Sequence, residues 1–412
     1  MRGFGTSLER HAVDHVPALS ARSCNVWDRP VMMNEFPKTE DVVLHGQAIY
    51  IDEVTCDESR DPRERYDPLR YGRMFHFITD YGYEGFMRDG ESKLNTASYI
   101  PEFYTPGDVG VEDSERMENL WRQYEGITDA YMAAYRDVEE RGLGNIYNKE
   151  AKLATVWAGL ADALSEPDIK DTICDRITFP RGSKILVAGD QSGVPEGWTK
   201  IYPLSTMFFG EDEEEDFDED FPDEGDDPFS GDGAFYIRTS ALRPPFELVD
   251  VAYDPSSRLQ HTSVYGRVRP ADERAFRENL VDTAVLYLGA QYTWARKSIM
   301  GIDCSGLCSM AYMLNGVYIY RDAKVAEGFP VRPVISASEW SRDPGAALSR
   351  LRPGDLIYYP GHVVMYMGDG RIIHSTAKAG ADGVVINSLR PGDIGFAEHL
   401  YGEISCAGSI FG

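Results

Sequence analysis

A chain of 412 residues, 42% hydrophobic and 26% charged, has the balance of a soluble globular protein and the length of about two to four domains. Its formal net charge of −27 would repel polyanions, which argues against nucleic acid or anionic lipid as a partner. No apolar run approaches the roughly 18 residues of a membrane span, and six cysteines without a framework spacing read as mostly free thiols.

The first 20 residues, MRGFGTSLERHAVDHVPALS, hold no signal-peptide core, so the chain reads as cytoplasmic as it stands or as one whose export signal has been removed. Residues 1–38 are polar, with Trp27, Pro30, Phe36 and Pro37 as punctuation, and predict an arm wrapping the body. Short β-rich runs in 39–106, among them Ala48-Ile49-Tyr50-Ile51 and Met74-Phe75-His76-Phe77-Ile78, predict a first small barrel. Residues 107–167 then change period. Leu120, Trp121, Tyr124, Ile127 and Tyr131 recur at helical spacing within 112–142, and a second helix is predicted over 148–164, ending before Pro167.

Strand signals return in 168–250, as in Lys184-Ile185-Leu186-Val187 and Ala234-Phe235-Tyr236-Ile237, and predict a second small barrel. A loop over 210–233 interrupts it. Within it, residues 211–227 hold 13 Asp or Glu, too many to pack, and they lack the ligand spacing of a calcium loop, so a solvated segment is expected.

From 271 to 412 the pattern is one α+β domain. An amphipathic helix covers 271–288, and a second opens at Cys304 and stops near Asn315-Gly316. Strands are predicted near 355–359, 362–367 and 371–375, the last two joined at the hairpin signal Gly368-Asp369-Gly370, with another at 383–388. This is a plan of helices in front of an antiparallel sheet.

The chemistry concentrates in Gly301-Ile302-Asp303-Cys304-Ser305-Gly306-Leu307, Gly361-His362-Val363 and Ile373-His374-Ser375. A thiol attacks a carbonyl as the thiolate, and a helix N-terminus and a neighbouring imidazole both favour that form, so Cys304 is expected to have a depressed pKa. His362 is the candidate base, and His374 across the hairpin can fix its tautomer. A buried structural thiol is the plain alternative for Cys304. A zinc site from Cys304, Cys308, His362 and His374 is another, but Cys308 sits one helical turn on, where it would face the core. No metal and no other cofactor is expected.

Residues 271–400 resemble the NlpC-type family of papain-like cysteine peptidases. The resemblance rests on Tyr292-Thr293-Trp294, Asp303-Cys304-Ser305-Gly306-Leu307, Arg321-Asp322-Ala323, Leu351-Arg352-Pro353-Gly354-Asp355-Leu356, Gly361-His362-Val363 and Ile373-His374. It implies cleavage of γ-D-glutamyl-L-diamino acid bonds in peptides derived from peptidoglycan. It also implies Cys304 as nucleophile, His362 as base, His374 as its orienter and the Tyr292 hydroxyl as a holder of the oxyanion with the Cys304 N–H. Family members with two bacterial SH3-like barrels ahead of the catalytic domain are similar in layout. By that resemblance Asp322 binds the free amino group of an N-terminal L-Ala, and Asp303, Ser305, Arg321, Tyr83 and Gln47 complete the substrate-binding set. Four positions depart from the family pattern: Gln47 replaces a Glu, Ala323 a Ser, and Ala295 and Arg296 the two glycines of a Trp-Gly-Gly. A catalytically weak wall-peptide binder and a general hydrolase of intact peptidoglycan are the competing readings.

Overall fold

The structure is a computed structural model that describes residues 16–19, 24–27, 39–46, 48–53, 74–79, 83–88, 130, 153–167, 176–203, 233–243, 251–252, 269–270, 272–327, 329–378 and 380–411. The helix expected over 112–142, apart from Ala130, and the acidic loop before Gly233 lie outside these residues.

The first unit is a six-stranded sheet of β1 (Val16–Leu19), β2 (Cys24–Trp27), β3 (Thr39–Val43), β4 (Ala48–Glu53), β5 (Met74–Thr79) and β6 (Glu84–Arg88), in the order β1-β4-β5-β6-β2-β3. Two of its strands, β1 and β2, come from the stretch expected as a wrapping arm. Pro17 is tolerated there because β1 pairs only with β4 at the sheet's edge.

The second unit repeats the plan. Its strands are β7 (Leu153–Thr155), β8 (Leu160–Leu164), β9 (Arg176–Pro180), β10 (Lys184–Val187), β11 (Trp198–Tyr202) and β12 (Phe235–Arg238). Their order is β7-β10-β11-β12-β8-β9, the first sheet's order strand for strand. The helix expected over 148–164 is therefore corrected: this stretch holds β7 and β8, and the unit begins at residue 153 instead of 168. The apolar residues there also fit a helical face, but Ala161 and Ala163 are buried while Leu160 and Asp162 are exposed, the two-residue alternation of a strand. Val156, Phe179, Ile185, Ile201 and Ile237 fill this unit's core.

After a two-stranded ribbon, β13 (Val251–Ala252) with β14 (Arg269–Pro270), the third unit opens with α1 (Glu273–Val285) and the short β15 (Lys297–Ser298) and β16 (Gly301–Ile302). The cysteine helix α2 (Cys304–Met313) follows, then β17 (Arg332–Ser336), α3 (Ala337–Arg342) and α4 (Pro344–Arg350). The domain ends with β18 (Leu356–Tyr359), β19 (His362–Gly368), β20 (Arg371–Thr376), β21 (Gly383–Ser388), α5 (Glu398–Tyr401) and β22 (Cys406–Ser409).

Its sheet is antiparallel, in the order β17-β22-β18-β19-β20-β21, and covered on both faces. Leu356, Tyr358, Val363, Met365 and Ile373 pack on α1 and α2, whereas Ile357, Tyr359, Val364, Tyr366 and Ile372 pack with Trp340, Leu348 and Leu400 from the three short helices. Burial on both sides explains why these strands read as unbroken apolar runs. The α2 core also takes in Val42, Val43, Leu44 and Tyr83 of the first unit. All three units meet through equivalent turns. The turn after β3 reaches the second unit, where a Cβ on Gly46 would stand 2.0 Å from the Lys184 carbonyl oxygen; the turn after β9 brings Gly182 against Met310 and Met313 of α2.

Candidate active site

Helix α2 starts at Cys304 because Asp303 caps it: the Asp303 carboxylate accepts the Gly306 N–H at 2.5 Å and the Ala295 N–H at 2.7 Å. Gly306 has no room for a side chain, since a Cβ would lie 2.5 Å from the Arg296 carbonyl oxygen and 2.9 Å from Asp303. Ala295 holds φ 60°, the left-handed region that favours glycine, and so carries backbone strain where the family pattern has glycine.

The two histidines come from the β19–β20 hairpin. Met365 stands opposite Ile373; His374 is one residue from that pair and His362 three, so the alternation of the pleat carries both on one face of the sheet. His362 Nε2 lies 2.9 Å from His374 Nδ1. His374 Nε2 lies 2.9 Å from Asn387 Oδ1, Asn387 being two residues beyond the partner of His374 on β21.

The tautomers follow from the far end of this line. Asn387 Nδ2 donates to the Gly395 carbonyl at 3.1 Å, which turns Oδ1 toward His374 as an acceptor. His374 then donates from Nε2 and accepts at Nδ1 from the His362 Nε2–H. That leaves His362 with a free lone pair at Nδ1, the form a general base needs.

Beside this line, the Cys304 sulfur is hydrogen-bonded by the Val363 and Ser305 N–H groups. The expected depression of the thiol pKa is overturned. Burial first and the Asp303 carboxylate second push Cys304 up to about 11, outweighing the two N–H groups and Arg321, which act the other way. Burial, with His374 and His399 adding to it, lowers His362 to about 4. The resting pair is therefore neutral thiol and neutral imidazole, and the proton must move as the sulfur attacks. Tyr292, bridged to Ile302, has its phenol pushed up to about 12, chiefly by burial and then by Cys304, so it stays a hydrogen-bond donor.

Asp303, Ser305 and Arg321, expected to face the substrate, form a buried frame instead. The Arg321 guanidinium grips both Asp303 oxygens at 3.0 and 2.8 Å, the Ser305 hydroxyl at 2.7 Å and Asp41 at 2.6 Å. Four of its five N–H donors are spent inside the protein, and only 2% of its side chain is exposed. Asp322 differs. It is 39% exposed, its carboxylate accepts the Tyr83 hydroxyl of the first unit at 3.1 Å, and Lys324 Nζ lies 3.9 Å away. Trp294 stands at the same junction, half exposed, with its indole N–H donating to the Thr39 carbonyl at 2.9 Å. Gln47 lies outside the described residues. Asn387 and Asp41 were missed from sequence. A lone Asn in the apolar strand Val384-Val385-Ile386-Asn387 was the available signal for the first; Asp41 is 280 residues from Arg321 and gave none.

A buried thiol beside an oriented imidazole pair is the equipment of a cysteine-type hydrolase. Residues 289–398 match the NlpC/P60 family. Dipeptidyl-peptidase 6 of Lysinibacillus sphaericus is 43% identical over 307 residues, which cover 73% of this chain and 89% of that protein. The gamma-D-glutamyl-L-lysine dipeptidyl-peptidase of Bacillus cereus (strain ATCC 10987) is 34% identical over 108 residues, 24% of this chain and 28% of that one. A crystal structure of an NlpC/P60 family protein from Bacillus cereus ATCC 10987 aligns over 95% of this chain and 98% of its own, with a TM-score of 0.47 and 15% identity. The chain belongs to the NlpC/P60 family.

Proposed function

We propose that this peptidase hydrolyses the γ-D-glutamyl-L-diamino acid bond of peptidoglycan stem peptides that carry a free N-terminal L-Ala. The observation that carries the reading is the hydrogen-bonded line Asn387–His374–His362, which leaves Nδ1 of His362 free while the N–H of the next residue, Val363, meets the Cys304 sulfur. The Cys304 sulfur adds to the γ-carbonyl carbon as its proton passes to His362 Nδ1. The Tyr292 hydroxyl and the Cys304 N–H, a free donor at the helix start, hold the oxyanion. Collapse expels the diamino acid as an amine that takes the proton back from His362, and water then hydrolyses the thioester by the same route.

Substrate choice rests on Asp322. Its partly exposed carboxylate, roofed by Tyr83, suits the ammonium of L-Ala, and a blocked amine would leave that charge unpaired. One relative's name, γ-D-glutamyl-L-lysine dipeptidyl-peptidase, supports this bond, and the other's, a dipeptidyl-peptidase, supports peptide hydrolysis. We read the two six-stranded sheets as the SH3-like barrels of the family's three-unit members, the first of them narrowing the cleft. Gln47 and Ala323 in place of Glu and Ser weaken the amine preference without removing it.

The test is mass spectrometry of products from L-Ala-γ-D-Glu-diaminopimelate, its lysine counterpart, the N-acetylated peptides and intact peptidoglycan. Free peptides should be cut at the γ-bond, and acetylated ones at least about tenfold more slowly. Equal rates on free peptide, acetylated peptide and intact wall would replace this reading with a general wall hydrolase. No cleavage of any of them would reduce the chain to a binder.

A further inference from the structure

Asp41 of β3 is wholly buried, and each of its oxygens serves a different cation of the third unit. Lys297 Nζ lies 2.7 Å from Oδ2 and 3.2 Å from the Val42 carbonyl, while Arg321 Nε lies 2.6 Å from Oδ1. The other edge of the same guanidinium holds Asp303 and Ser305, the residues on either side of Cys304. Four charges thus run Lys297–Asp41–Arg321–Asp303 in a line that balances to zero and ends at the cap of α2. All four side chains are at most 6% exposed.

A planar guanidinium bound on two edges has one orientation. Take away the Asp41 edge and Arg321 can swing, with Asp303 and the cap that sets the start of α2 following it. The same charges also act on the thiol, Asp303 raising its pKa and Arg321 lowering it. An anchor serving only to join two units would leave that field alone.

We infer that Asp41 is a positioning residue for Cys304, so that the first sheet is a working part of the catalytic centre as well as a wall of the cleft. The inference rests on Cys304 being the nucleophile. Asp41→Asn removes one anion beside two buried cations, which favours the thiolate and disorders its placement. Asp41→Leu/Lys297→Met keeps the charges balanced and so protects the fold, while Arg321 loses the acceptor on its second edge.

The experiment compares both variants with the parent in the full chain. It follows iodoacetamide labelling of the Cys304 peptide by mass spectrometry against pH, and turnover of L-Ala-γ-D-Glu-diaminopimelate per labelled Cys304. Both variants should lose about tenfold or more in kcat per labelled site, with KM within about threefold. Asp41→Asn should also move the labelling midpoint to lower pH. Unchanged kcat per labelled site in the double variant overturns the inference, as does an unmoved midpoint in a folded Asp41→Asn. Should Asp41→Asn fail to fold, the double variant alone decides. The labelling profile needs no substrate, so a wrong substrate assignment would show as an inactive parent and leave the positioning result readable.

Discussion

His45 and Lys184 hold each other through two hydrogen bonds: the Lys184 N–H donates to the His45 carbonyl at 2.9 Å, and His45 Nδ1 donates to the Lys184 carbonyl at 3.0 Å. His45 lies in the turn after β3 and Lys184 opens β10 just past the equivalent turn of the second sheet, so the repeat meets itself at matching places. Lys184 then reaches on to the Tyr318 hydroxyl at 2.9 Å, which ties this contact to the catalytic unit.

That arrangement makes stability depend on pH. Burial holds His45 neutral down to about 4, whereas the unfolded chain takes up the proton near 6.5. Between those values the unfolded state binds more protons, so the contribution is whole above pH 6.5 and drains as pH falls to 4, by about 3 kcal/mol for this residue. Urea midpoints should fall steeply across that window. His45→Asn, which keeps a donor but does not titrate, should flatten the slope; an equally steep slope in the variant would refute the assignment.

The neutral resting pair predicts a wide activity plateau. With His362 at about 4 and Cys304 at about 11, kcat/KM should stay nearly level from mildly acidic to mildly alkaline pH, both limbs belonging to the pair as a coupled system. Alkylation of Cys304 in the free enzyme should keep rising beyond pH 8. A labelling plateau reached by neutral pH would mean that the thiol rests ionised. Cys304→Ala should abolish turnover with the melting curve kept.

Asn387→Ala should lower kcat roughly tenfold, less than His362→Ala, because it frees the tautomer without removing the base. Asn387→Asp tests the same contact with opposite electrostatics. A carboxylate there favours the imidazolium of His374, so the acidic limb of kcat/KM should move to higher pH. Identical profiles for Asn387→Asp and the parent would take Asn387 out of the line.

Gly46→Ala should cost about 2–4 kcal/mol. The position combines φ 70° with a carbonyl oxygen only 2.0 Å from where the new Cβ would sit. Chemical denaturation measures the loss; a change under about 0.5 kcal/mol would show that the turn can open.

The local chemistry was legible and the long-range chemistry was not. The helix that opens at Cys304, its stop near Asn315-Gly316 and the hairpin that pairs His362 with His374 all lie within spans where spacing dictates geometry. The error over 148–164 arose because Leu153, Val156, Trp157 and Leu160 fit a helical face as well as two short strands, and the pairing partners that decide lie tens of residues away. Asp303 adjoins Cys304 and Arg321 adjoins Asp322 in sequence, and the family resemblance put both among the substrate-binding residues. Only the fold reveals Asp41 drawing them inward. The sign of the Cys304 shift was missed for a related reason: a helix start is visible in sequence, but the burial that overrides its dipole is not.

Helix α2 is gripped at both ends by modules of one repeated plan. At its start, Asp41 of the first sheet acts through Arg321 on the cap; farther along, Gly182 of the second sheet presses on Met310 and Met313. Such a helix has no free end from which to fray. Its amide protons should exchange with solvent at the pace of the whole molecule's unfolding, more slowly than those of the three short helices on the sheet's other face. A nucleophile clamped this way gives up local breathing for constant aim. Changes that widen the range of substrates should then come from the exposed rim around Asp322 and Trp294, which can vary without loosening the cysteine.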